Sequence, residues 1–98
     1  MARHHVPLLL TSDEGDYSRH GVQSTDVFPA NGKRFTLEEL QGLVGGPIEL
    51  IRSIADPNFF VVCNEEGLIH DLILNMVASR MTGRDICGSA VVVHEDEL

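Results

Sequence analysis

The stretch Phe35-Thr36-Leu37-Glu38-Glu39-Leu40-Gln41-Gly42-Leu43-Val44-Gly45-Gly46-Pro47-Ile48-Glu49-Leu50-Ile51 decides how this chain folds. Thr36 is placed to cap a helix with its hydroxyl, and Glu39, three residues on, completes a capping box. Phe35 just outside and Leu40 inside have the spacing of a hydrophobic staple. Leu37, Leu40 and Val44 then fall on one helical face, flanked by Leu43. Gly45 supplies a left-handed cap, and Pro47 forbids any continuation of the helix. Beyond it, Ile48–Ile54 alternates roughly as a strand does. A short capped helix thus feeds a strand through a tight glycine-rich connection.

Upstream, Val6–Leu10 is a short apolar run suited to a strand. Asp13-Glu14-Gly15-Asp16 has turn composition. Val22–Phe28 is a weaker strand whose best partner is the first run, closed by Pro29-Ala30-Asn31-Gly32. Downstream, Ala55-Asp56-Pro57-Asn58 turns the chain into Phe59–Cys63, apolar on both faces and therefore expected inside a sheet. Asn64-Glu65-Glu66-Gly67 has type I turn chemistry, and Leu68-Ile69-His70 is expected to return as the second arm of a hairpin. Asn75 is placed to cap a short helix through Met81, ended by Gly83. Ile86–Val93 is β-rich, and residues 94–98 read as an acidic, solvated tail. The fold class is α+β: a single sheet layer on helix, with about five mostly antiparallel strands and two short helices.

The chain has 98 residues, 43% hydrophobic and 22% charged, which suits one domain with a modest core and argues against disorder. Fifteen acidic against seven basic residues leave a net charge of −8. Direct nucleic-acid binding is not expected, because phosphate affinity needs clustered Lys and Arg. No apolar run approaches a membrane span, and no membrane partner is expected. The N-terminal apolar run is too short for a signal-peptide core, so a cytoplasmic location is expected. Glu95-Asp96-Glu97-Leu98 departs from the endoplasmic-reticulum retention signal at its first position. Cys63 and Cys87 are the only cysteines, expected as buried, reduced thiols, and no Cys-x-x-Cys suggests zinc.

Spaced through the second half are Leu43-Val44-Gly45-Gly46-Pro47-Ile48-Glu49, Asn64-Glu65-Glu66-Gly67, Asn75 and Ile86-Cys87-Gly88. Over about residues 33–93 this pattern resembles a family of small proteins known only as a domain of unknown function, recurring in phages, plasmids and bacterial genomes. Pro47 stands where that family often has an aromatic residue. The resemblance implies no established activity. It implies a setting in which small phage proteins counter host defences by occupying a host protein or sequestering a signalling nucleotide.

The candidate chemistry is sparse. Gly45-Gly46 follow a helix instead of preceding one, so they form no phosphate loop. Asp13–Asp16 lacks calcium-loop spacing. His4, His5, His20, His70 and His94 show no metal-ligand spacing. Cys63 with His70 offers a nucleophile and a base but no third group. No enzymatic activity and no cofactor are expected. The leading expectation is a non-catalytic binding protein, a homo-oligomer holding a small anionic signalling nucleotide at a subunit interface. Arg52, Arg80 and Arg84 are its candidate phosphate contacts, and Glu49, set among apolar strand residues, is a further candidate. The alternative is an acidic protein that blocks a basic host defence protein as a nucleic-acid mimic. A metal-dependent hydrolase using Glu49 with Glu65 or Glu66 comes last.

Overall fold

A computed structural model describes residues 7–12, 22–70 and 72–98. Among them the elements run β1 (Leu8–Ser12), β2 (Val22–Asp26), α1 (Leu37–Val44), β3 (Ile48–Arg52), β4 (Phe59–Asn64), α2 (Met76–Thr82) and β5 (Ala90–His94), followed by a 3-10 turn at Glu95–Glu97. The strands form one sheet in the order β2-β1-β5-β4-β3. Every pairing is antiparallel, as α+β patterning leads one to expect. β1 pairs with β2, and the expected turn at Asp13–Asp16 between them lies outside the described residues. So do Val6, His4, His5 and His20.

The sheet carries one helix on each face. Strand alternation sends Leu10, Ile51, Val61, Cys63, Ala90 and Val92 toward α2, where Ala78 and Ile86 complete the cluster. Val62, Val91 and Val93 point the opposite way, against Phe35, Leu40 and Val44 of the α1 region. Val61, Val62, Val91 and Val93 are fully buried, each worth roughly 1.5–3 kcal/mol of hydrophobic stabilisation. The connection β2–α1–β3 crosses the whole sheet, from one edge strand to the other.

Local signals account for both helices. Thr36 Oγ1 accepts from the Glu39 N–H at 3.1 Å, while Glu39 Oε1 accepts from the Thr36 N–H at 2.8 Å. Gly45 closes the helix at φ 82°. Asn75 is fully buried and does three things at once. Its carbonyl oxygen accepts from the Ala78 N–H at 3.1 Å, capping α2, and its amide donates to Leu10 O and Gly88 O, each at 3.0 Å. One side chain thus ties β1, α2 and the approach to β5 together.

Several sequence expectations need correction. Leu68-Ile69-His70 is no hairpin arm. β4 already has β3 and β5 on its two sides, so no edge is left to pair with. The segment coils instead through turns closed by Gly67 N–H to Asn64 O, His70 N–H to Glu66 O and Leu72 N–H to Gly67 O, leaving Leu68 and Ile69 exposed. β1 is shifted to Leu8–Ser12, and β2 and β3 stop at Asp26 and Arg52, short of Phe28 and Ile54. Leu37 stands exposed at the first turn of α1, where Phe35 supplies the buried contact instead. The acidic tail is docked, not solvated. The Phe35 N–H donates to Glu97 O at 2.9 Å, Glu97 is buried, and Leu98 packs into the α1 cluster.

Candidate binding surface around helix α1

Two grooves flank α1, and Gly42 lines both. The first, about 590 Å³, runs from the end of α1 toward the loops after β4 and before β5, between Leu43, Val44, Asn64, His70, Leu72 and Ser89. The second, about 420 Å³, lies between α1 and the end of β2. Val27, Phe28, Phe35 and Leu43 form its apolar lining, with Asp26 and Glu38 beside them. Phe28 is 68% exposed, an uncommon burden for an aromatic ring with a neighbouring groove to fill.

The first groove sits where the spaced sequence motifs meet. Asn64, at the end of β4, is buried. Its amide nitrogen donates to Val44 O at 3.3 Å, and its side-chain oxygen accepts from the Glu66 N–H at 2.8 Å. The Glu65 N–H donates to Pro47 O at 2.8 Å. The Gly-Gly segment and the Asn-Glu-Glu-Gly segment are therefore one hydrogen-bonded joint. Gly67 belongs to it because a Cβ there would lie 2.5 Å from the Cys87 carbonyl oxygen. At the rim, His70 Nε2 lies 3.2 Å from Glu66 Oε1. These contacts use the motif polar groups structurally; the surface left facing the groove mixes polar groups with the apolar side chains of Leu43, Val44 and Leu72.

Glu39, beside the second groove, is committed to the fold. Its carboxylate accepts from the backbone N–H groups of Thr36 and Ala30, each at 2.8 Å. Those bonds, Thr36 first, hold it below its ordinary pKa of 4.5.

The candidate residues Glu49, Arg52, Arg80 and Arg84 divide between the two faces of the sheet. Glu49 shares the α2 side with Ile51, and Arg84 from the loop after α2 reaches it at 3.1 Å. This pair borders a crevice of about 120 Å³ that Cys63, Glu65 and Cys87 also line. Arg52 is on the α1 side, held by the Pro57 carbonyl and packed over the Phe60 ring at 4.5 Å. Arg80 is in the last turn of α2, where a cation offsets the helix dipole. One chain thus joins Glu49 to Arg84 and keeps Arg52 away from both. Glu65 lies near Glu49 in the crevice, and Glu66 turns toward His70 instead.

Cys63 and Cys87 form no disulfide; Cys63 is buried and Cys87 half-buried. Burial, and then the Glu49 charge, push the Cys63 thiol up to about 11, with Arg84 acting in the opposite sense. Such a thiol is a poor nucleophile at neutral pH. Among the described residues no three His, Cys, Asp or Glu side chains gather as metal ligands, and no helix is long and apolar enough to cross a membrane.

Sequence reasoning gives no weight to Gly42 or Phe28. The available signals were a glycine inside a strong helix pattern and an aromatic beyond a polar strand. No curated protein and no solved structure matches the chain. The model of a domain of unknown function, DUF3846, matches residues 21–97, taking in β2 as well as the 33–93 core, and the chain belongs to that family.

Proposed function

We propose that this is a non-catalytic binding protein that occupies a basic surface on a protein partner. The observation that carries the reading is the second groove, where an apolar lining with an exposed phenylalanine adjoins Asp26 and Glu38. Apolar contact supplies affinity there, and the net charge of −8 steers basic partners toward it. In the phage and mobile-element setting that the resemblance implies, a host defence protein is the partner class. Homo-oligomerisation belongs to the same proposal: among the described residues β3 is an open sheet edge, with Leu50 48% exposed at its centre.

Nucleotide sequestration is the second reading, favoured by the volume of the first groove, about 590 Å³, which falls in the range of small-molecule sites. It needs phosphate contacts from a neighbouring subunit, since Arg52 and Arg84 are on opposite faces and already engaged.

Native mass spectrometry of the protein taken gently from a bacterial lysate separates the two. The expected result is a stoichiometric protein complex that dissociates as ionic strength rises through roughly 0.1–1 M, where screening shortens from about 10 to 3 Å. An oligomer carrying a nucleotide-sized mass would overturn the protein-binding reading in favour of the second. A bare species at low salt would leave neither supported.

A further inference from the structure

We infer that α1 is a crossing point for a partner helix, a basic amphipathic one, which lies over Gly42 and spans both grooves. The inference rests on the protein-binding reading and names the site and the partner's chemistry.

Gly42 is the starting point, because the fold gives it no reason to be glycine. It lies inside α1, where glycine costs roughly 0.5–1 kcal/mol relative to alanine. Its backbone is not left-handed, unlike that of Gly45, and a Cβ built on it meets nothing within 4 Å among the described residues. Gly46, Gly67 and Gly88, by contrast, each face a close neighbour. The remaining use for a helical glycine is close approach by another backbone from outside.

The surroundings say what approaches. Leu40 and Val44 are buried against the sheet, and residue 42 falls on the opposite, exposed side of α1, one turn beyond Glu38. Gly42 lines both grooves, so it forms a low saddle between them. Apolar groups stand on either side: Phe28 and Val27 toward one groove, Leu72 toward the other, and Leu43 along both. Helices pack by setting side-chain ridges into such grooves, and a missing side chain at the crossing lets the axes approach. An amphipathic helix presents apolar anchors at i, i+3, i+4 and i+7 and can fill the grooves on both sides of a saddle. The charge is settled by Asp26 and Glu38 at the lining; Lys33 and Arg34, the nearest basic residues along the chain, are outside it.

The test uses the full chain and two labelled synthetic peptides of about 18 residues, long enough to form a helix on binding. One places Leu at helical spacing among Lys; the other scrambles the same composition. Fluorescence anisotropy gives their affinities for the parent protein and for Gly42→Phe, whose ring blocks the saddle from open space. The expected result is that the patterned peptide binds the parent about ten-fold or more tightly than the scrambled one. That preference should vanish in Gly42→Phe, while its circular dichroism and melting temperature match or exceed the parent's. Asp26→Asn with Glu38→Gln should weaken both peptides and leave the preference in place. Equal binding of the two peptides, or an undiminished preference in folded Gly42→Phe, would overturn the crossing site and leave the acidic-binder reading standing. Failure of both peptides to bind at low salt would overturn the two together.

Discussion

The Asn64 side chain stands directly over Gly46: its amide nitrogen is 2.9 Å from where a Cβ would be, and it donates to the Val44 carbonyl at 3.3 Å. This contact joins the last turn of α1 to the end of β4, twenty residues apart along the chain, and forms one wall of the first groove.

Asn64→Ala should therefore destabilise the protein by about 1–3 kcal/mol, because it leaves the Val44 carbonyl and the Glu66 N–H without their partner. Urea denaturation gives the value. A midpoint equal to the parent's would mean that water satisfies those groups and that the joint is not what holds the groove.

Three glycines that look alike in the sequence should respond differently to alanine. Gly42→Ala should stabilise by about 0.5–1 kcal/mol, since the site is helical and its Cβ meets only open space. Gly46→Ala presses on the buried Asn64 amide and should destabilise modestly. Gly67→Ala meets the Cys87 backbone oxygen at 2.5 Å, so the chain must move, at a cost of about 1–3 kcal/mol or more. Thermal melting of the three variants should rank them in that order. A Gly67→Ala protein melting with the parent would show that the loop before β5 yields freely.

Local signals read well from this sequence, and contacts between distant segments did not. The Thr36–Glu39 box, the Asn75 cap and the Gly45 and Gly83 ends are legible because cap chemistry is decided within four residues. Phe59–Cys63 reads as an interior strand because both of its faces are apolar. The hairpin arm at Leu68–His70 fails because turn composition cannot tell that β5, from twenty residues further on, takes the place beside β4. That the candidate residues are not gathered within one chain has a similar reason: Glu49 and Arg52 are close in sequence, yet three steps along a strand put them on opposite faces. Gly42 escapes notice because its peculiarity is an empty space, which only coordinates reveal.

The Glu39 carboxylate offers a pH test. Its pKa is lowered in the folded state by the Thr36 and Ala30 N–H groups. Its stabilising contribution is accordingly complete above the unfolded value of about 4.5 and declines as pH falls through the lower folded value. Glu39→Gln should be less stable than the parent at neutral pH, and the gap should narrow on acidification. Denaturation midpoints measured at several pH values between neutrality and about pH 3 test this. A gap that stays constant would assign the effect to side-chain shape and remove the charge from the cap.

The two cysteines should react in sequence. Cys63 is 3% exposed, and its thiol, pushed up to about 11, carries almost no thiolate near neutrality; Cys87 is half-buried. Iodoacetamide at about pH 8 should label Cys87 first and reach Cys63 only when the protein unfolds. Linkage supplies a second readout. The raised pKa favours the folded state fully below the unfolded value of 9.0, and that contribution is lost as pH rises toward about 11. Alkaline melting curves should therefore fall more steeply for the parent than for Cys63→Ala. Rapid labelling of Cys63 in the native protein would mean that the crevice beneath Glu49 and Arg84 opens, and that this ion pair does not keep it shut.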